Sequence, residues 1–180
     1  MTALPNAIPL PTGALRRLYL HWTAGDYETT FPAYHFCIAL GADGAPRRVA
    51  THDLRANMRD VRANLAAPYA AHTAGRNAYA IGIAICGMHG AEPGDFGSYP
   101  LRGDLVVAAC ALAAELCAFY RIPVDAGHVA THAEAALEDG YFGSGDDQRW
   151  DIARLWAEPR ALVAADAAAT GDALRALIRG

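Results

Sequence analysis

The first half of the chain carries short apolar and alternating runs that predict β-strands. Residues 16–22 (RRLYLHW) predict a strand that ends in histidine and tryptophan. Residues 34–40 (YHFCIAL) predict a second strand, and a turn over 41–44 (GADG) joins it to a returning strand over 47–50. Residues 79–86 (YAIGIAIC) are apolar nearly throughout, so we expect this strand in the centre of the sheet.

Helical patterns dominate the second half of the chain. Over residues 104–120, apolar side chains recur with the helical period, which predicts one long helix. Residues 128–132 predict a short strand or an extended run, and residues 133–139 predict a helical turn. The alanine-rich segment 161–179 predicts one helix or two, with a break at Gly171.

This order of elements predicts a single α/β domain with a mixed central β-sheet flanked by helices. A length of 180 residues is typical of one domain. The chain divides into an irregular lead-in (1–15), a principal domain (16–160) and an alanine-rich helical tail (161–180). Residues 51–78 and 87–103 are expected to form loops within the principal domain.

Composition narrows the classes of partner. The net charge is −4, lysine is absent and no run of arginines offers a phosphate-binding stripe, so no nucleic acid partner is expected. The longest apolar run, 105–120, contains Glu115 and is short for a membrane span, so no membrane insertion is expected. The N-terminus has no positively charged segment and prolines interrupt its apolar residues, so we expect no signal peptide and a cytoplasmic location as synthesised.

The cysteines occur outside any C-x-x-C pair, which favours small buried thiols over a disulfide framework. Two of them share one face of the predicted long helix, but their spacing of roughly 10 Å along the axis is too great for a disulfide. The four are Cys37, Cys86, Cys110 and Cys117.

Two histidines and an aspartate stand at the ends of predicted elements and form a candidate metal-ligand set. His21 closes the first strand, His132 closes the extended run before a helical turn, and Asp151 precedes a further helical segment. Two imidazoles and one carboxylate, with the fourth position left for water, are a ligand set of catalytic zinc. Zinc lowers the pKa of that water and polarises a carbonyl group under attack. Spacing alone does not single out this trio among the seven histidines, because the chain has no H-E-x-x-H motif.

Four sequence blocks, taken in order, resemble the type 2 N-acetylmuramoyl-L-alanine amidases, a family that includes T7 phage lysozyme, peptidoglycan recognition proteins and many phage endolysins. The blocks are LYLHWTAG (18–25), YHF (34–36) followed by the GADG turn, AHTAGRN (71–77) followed by YAIGI (79–83), and THAE (131–134) followed by RWDI (149–152). The resemblance covers residues 16–156 and implies that 16–160 form an amidase domain. It also implies a mixed sheet flanked by helices, with zinc in a shallow surface groove.

Carried over position by position, the resemblance implies that His21, His132 and Asp151 bind one zinc ion per chain. Tyr34 matches the tyrosine that faces the zinc-bound water in the T7-like branch of the family. Other members place a glutamate on the central strand, where this chain has no carboxylate. Arg149 stands where the family commonly has a lysine. An arginine can stabilise an oxyanion, but it does not donate its proton at neutral pH, so its implied role is electrostatic.

The segment between His132 and Asp151 is longer than in compact members of the family, and its acidic residues are alternative third ligands. Those residues are Glu138, Asp139, Asp146 and Asp147. Asp151 is preferred because its block matches the family. The resemblance also implies substrate contacts at His72 and Asn77, although Asn77 suits capping of its own loop equally well.

Several other polar residues have a structural interpretation beside a functional one. His35 is predicted to be buried and hydrogen-bonded, on the opposite strand face from the residue before it. Glu134 either orients His132 or complements the positive end of a helix. Arg62 and Arg76 either contact stem-peptide carboxylates or are solvated.

The resemblance implies zinc-dependent hydrolysis of the amide bond between N-acetylmuramic acid and L-alanine in peptidoglycan, in an endolysin or a cell-wall amidase. One alternative is a non-catalytic relative that binds muropeptides, and another is a zinc amidohydrolase acting on a different amide. The complete set of ligand positions favours catalysis. We expect a monomer that acts on peptidoglycan or muropeptides, reaching the cell wall after release from the cytoplasm.

Overall fold

Five strands form one mixed sheet in the computed structural model, which describes residues 14–145 and 147–180. They are β1 (Arg17–Trp22), β2 (Phe36–Leu40), β3 (Pro46–Ala50), β4 (Ala80–Ile85) and β5 (Val129–Thr131). Their spatial order is β3-β2-β4-β1-β5, with β3 antiparallel to β2 and the other neighbouring pairs parallel. β4 is therefore central, as its continuous apolar sequence predicts. Most of the predicted lead-in lies outside the described residues.

Three α-helices pack around this sheet within the described residues. They are α1 (Gly103–Tyr120), α2 (His132–Asp139) and α3 (Ala164–Arg179). Two short 3-10 helices, Leu54–Asn57 and Val61–Ala63, interrupt the long segment between β3 and β4. The predicted single-domain α/β fold with a mixed sheet is confirmed.

The main apolar core lies between one face of the sheet and α1. Alternate residues of β1 and β4 project into it, among them Leu18, Leu20, Ile81 and Ile83. By length and composition α1 could also span a membrane, but a core helix satisfies the same criteria, and half of α1 is buried inside the protein. All four cysteines are buried and free, as predicted.

α3 runs without a break through Gly171, so the predicted interruption there is wrong. A single glycine costs a helix only about 1 kcal/mol, and here the missing side chain serves the packing against α2. A Cβ atom at this position would collide with the carboxylate of Glu134. The glycine therefore lets α3 approach α2 closely.

Glu134 is held by its own helix and by α3. It forms a capping box with Thr131, accepting that residue's backbone N–H at 2.9 Å. Arg175 of α3 donates to both of its carboxylate oxygens, at 3.0 and 2.8 Å. The carboxylate thus contacts Thr131 and Arg175, which supports the helix-terminus interpretation over the orientation of His132.

Candidate metal centre

The pairing of β1 with β5 brings two histidines of distant sequence together. The strands are parallel, and Leu20 of β1 lies opposite Thr131 of β5. His21, still within β1, and His132, directly after β5, are the next residues, so both lie at the carboxyl ends of these neighbouring strands. His132 is the first residue of α2, whose capping box fixes where the helix begins.

Asp151 is brought to the two histidines by a folded loop. Tyr141 and Arg149 close the loop through a hydrogen bond from the Arg149 N–H to the Tyr141 carbonyl, 3.0 Å long. Phe142 forms a β-bridge with Arg149. Asp151 stands two residues after Arg149, and its backbone carbonyl accepts the N–H of Ala133 at 3.1 Å, which ties it to the first turn of α2.

His21, His132 and Asp151 form a compact, nearly buried group that could hold a metal ion. One ligand atom from each residue lies within 4.8 Å of the other two. Asp151 Oδ2 is 3.0 Å from His132 Nδ1 and 3.4 Å from His21 Nδ1. The side chains of His21, His132 and Asp151 are 0%, 7% and 13% exposed, so the group opens to solvent through its last two members.

The electrostatics and hydrogen bonding of the group fit a cation. Burial lowers the pKa of His21 to about 4, so its imidazole is neutral at pH 7. Burial alone would raise the pKa of Asp151, but the contacts with His132 and His21 outweigh it and hold that pKa well below its usual range. His21 Nδ1 is buried without a hydrogen-bond partner, although it faces the carboxylate. A metal ion would satisfy this orphaned nitrogen.

Other acidic residues of the 138–148 segment have different surroundings. Glu138 and Asp139 pair with Arg76, at 2.7 and 2.6 Å. Asp147 is exposed. The remaining alternative ligand, Asp146, lies outside the described residues. Among the described acids, Asp151 is the one that joins both histidines.

Tyr34 and Arg149 lie at the border of this group. The Tyr34 ring is 5.2 Å from that of His21, and its hydroxyl donates to the Trp22 carbonyl at 3.1 Å. Burial, and then the charge of Asp151, raise the Tyr34 pKa above its ordinary value, while Arg149 opposes them. The Tyr34 hydroxyl therefore stays protonated at neutral pH, and the exposed Arg149 acts on it electrostatically. Their catalytic roles stay predictions.

His72 lies beside His21 in an edge-to-face arrangement, with 5.3 Å between the ring centres. It is 5% exposed and occupies the space that a side chain on Gly82 of β4 would fill. A Cβ atom there would lie 2.5 Å from His72 Cγ. The predicted contact of His72 with substrate stays a prediction.

His35 confirms the prediction of a buried, hydrogen-bonded histidine. Its Nδ1 accepts the Gly82 N–H at 3.0 Å. β2 begins only at Phe36, so strand alternation does not govern where His35 points relative to Tyr34. Its ring lies beside His72, with 5.5 Å between the centres.

Asn77 closes the loop that carries His72. Its side-chain oxygen accepts the Thr73 N–H at 2.8 Å, and its backbone carbonyl accepts from Asn57 at 2.9 Å. This is the loop-capping arrangement that the sequence allowed, while a role in substrate binding stays a prediction. Thr73, Gly82 and the buried Asn57 were not predicted as part of the site.

A cavity of about 520 Å³ is lined by Tyr141, which contacts the group through His132. The Tyr141 hydroxyl is 3.5 Å from His132 Nε2, and the cavity is also lined by Arg17, Arg62 and Arg76. Arg62 donates to the Gly75 carbonyl at 2.6 Å, while Arg76 forms its two ion pairs. The cavity therefore presents positive charge that carboxylates already offset in part.

Acidification is expected to destabilise the metal-free protein through His35. Burial, and then the charge of His52, lower the His35 pKa from 6.5 to about 3. Between these values only the unfolded chain binds the proton, so stability is full above pH 6.5 and falls as the pH decreases toward 3. From pH 7 to pH 5 this residue alone removes about 2 kcal/mol. Urea unfolding at several pH values across this range measures the free energy of unfolding, which should depend less on pH in His35→Asn. An unchanged pH dependence in the variant would show that His35 is not the cause of the loss.

A family model for N-acetylmuramoyl-L-alanine amidase matches residues 11–150. The match covers most of the chain, and the chain belongs to this family. It ends one residue before Asp151 and leaves α3 outside. No curated protein matches the sequence.

Proposed function

We propose that the protein binds one zinc ion through His21, His132 and Asp151 and hydrolyses the amide bond between N-acetylmuramic acid and L-alanine in peptidoglycan. The main support for the metal site is that Nδ1 of the buried His21 has no hydrogen-bond partner and faces His132 and the Asp151 carboxylate. Two imidazoles and one carboxylate suit catalytic zinc. The choice of bond is supported by family membership.

The surrounding residues have separable tasks in this proposal. Bound zinc would supply a Lewis acid and lower the pKa of a coordinated water. Tyr34 keeps its proton because its pKa is raised, so it does not act as a base. Its hydroxyl would turn from the Trp22 carbonyl to donate a hydrogen bond to substrate or water. Arg149 contributes positive charge toward the developing oxyanion and, as an arginine, retains its proton.

Product analysis tests which bond is cut. Purified sacculi treated with the protein should release stem peptides that begin with L-alanine and leave intact glycan strands. Mass spectrometry identifies both products. Cleaved glycan bonds with intact lactyl amides would overturn the proposal, and binding to sacculi without any release would identify a non-catalytic muropeptide-binding protein.

Metal removal tests the zinc requirement in the same assay. Dialysis against a chelator should abolish peptide release, because a neutral water is a poor nucleophile toward an amide without a Lewis acid. Adding one equivalent of Zn²⁺ should restore it, and magnesium should not, since imidazole ligands favour zinc over magnesium. Full activity in the metal-free protein would contradict the assignment.

A further inference from the structure

A buried histidine that binds a metal through Nδ1 must place its proton on Nε2, and that proton requires an acceptor. His21 is fully buried, and its Nε2 lies 3.3 Å from Thr73 Oγ1. Thr73 is itself fully buried. Within the described part of the chain, this hydroxyl is the group placed to receive the proton of His21.

We propose that Thr73 is a positioning residue for the metal centre, which holds His21 with its proton on Nε2 and its Nδ1 lone pair directed at His132 and Asp151. The inference rests on the proposed metal site. A threonine hydroxyl can accept from one imidazole and donate to another. The second imidazole is present, because His72 Nδ1 lies 2.9 Å from Thr73 Oγ1. With the His21 proton on Nε2, the hydroxyl would accept from His21 and donate to His72 Nδ1, linking the two rings in one chain from His21 to Thr73 to His72.

The surroundings of Thr73 fix its hydroxyl in place. Its backbone N–H donates to Asn77 Oδ1 at 2.8 Å. Asn57, fully buried, donates to the backbone carbonyls of Ala70 and Asn77, each at 2.9 Å. These bonds brace the loop on both sides of Thr73, so the hydroxyl is preorganised before a metal binds.

The position of His72 depends in turn on the absence of a side chain at Gly82. The His72 ring fills the space of the missing Cβ atom, which would otherwise approach His72 Cγ to 2.5 Å. A glycine inside a strand often marks such a close approach. The central strand thereby allows His72 to lie where it can accept from Thr73.

Zinc affinity, measured without substrate, tests the proposal. Thr73→Val has nearly the same shape and no hydroxyl, so it should weaken zinc binding about 10- to 100-fold, the usual effect of losing an outer partner of a ligating histidine. Thr73→Ser retains the hydroxyl and should retain most of the affinity. Competition with a chromophoric chelator gives the dissociation constants.

Thr170→Val is the matched control. Its hydroxyl also donates a single hydrogen bond, to the Ala153 carbonyl at 2.9 Å, away from the imidazoles. This variant should bind zinc as the parent does. Thermal unfolding of the zinc-free variants shows whether each one retains its fold.

Nitrogen-15 spectra of the zinc-loaded protein give a second readout. The Nε2–H signal of His21 should be protected from solvent exchange in the parent and in Thr73→Ser, and should exchange rapidly in Thr73→Val. If Thr73→Val binds zinc with the affinity of the parent and keeps a protected signal, the positioning role of Thr73 is overturned and the proposed function is unaffected. Zinc binding without peptide release from sacculi would instead overturn the proposed function and leave the role of Thr73 standing.

Discussion

Asp151→Ala is expected to lose the bound zinc and the release of stem peptides together. The substitution removes the carboxylate that both histidines face, and two imidazoles alone are an incomplete site. Zinc affinity should fall by well over the roughly 100-fold that marks the upper end for outer partners. Metal analysis after gel filtration should find about one zinc per chain in the parent and essentially none in the variant.

Asp147→Ala is the control for this experiment. Asp147 lies in the same loop, carries the same charge and is exposed. Its removal should leave the zinc content and the activity unchanged, because surface substitutions away from specific contacts have little effect. Retention of one zinc and of activity in Asp151→Ala would assign the third ligand elsewhere.

Strand order explains why the two histidines could be selected from sequence. Apolar runs predicted the strands, and His21 and His132 each stand where such a run ends. Parallel pairing of β1 with β5 then places both at the carboxyl ends of neighbouring strands. The pairing itself is a long-range contact that periodicity does not encode, and the family resemblance supplied it.

The residues around the histidines depend on packing that a single sequence does not show. Thr73 belongs to the site only because the loop folds His72 onto Gly82. Gly82 was visible as a glycine inside an apolar strand, which is a general sign of close approach. Thr73 had no comparable signal, since its significance lies in one hydroxyl placed between two rings.

The C-terminal helix shows that a local sequence pattern can also predict a helix break that packing removes. Gly171 suggested a helix break, because local propensity is all that a sequence window reports. In the structure this glycine faces Glu134. Arg175, one turn further along α3, donates hydrogen bonds to the same carboxylate. Arg175 also donates to the Val129 carbonyl of β5 at 2.9 Å. α3 is thereby joined to β5 and α2, the two elements that meet at His132.

Arg175→Met is accordingly expected to lower the free energy of unfolding of the metal-free protein by about 3–5 kcal/mol. The side chains of Arg175 and Glu134 are only 5% and 13% exposed, so the variant leaves a carboxylate with little access to water and without its cation. Urea unfolding gives this change in the free energy of unfolding, provided that the slope of that free energy against urea concentration is the same in parent and variant.

Two further variants separate loss of this buried ion pair from a general weakening of α3. Arg179→Met removes an exposed arginine of the same helix, which donates to the Val124 carbonyl at 2.9 Å, and should cost no more than about 0.5 kcal/mol. Adding Glu134→Gln to Arg175→Met should recover part of the loss, because the uncompensated charge is then gone. Equal losses of stability in Arg175→Met and Arg179→Met would show that the ion pair with Glu134 does not hold α3 against α2.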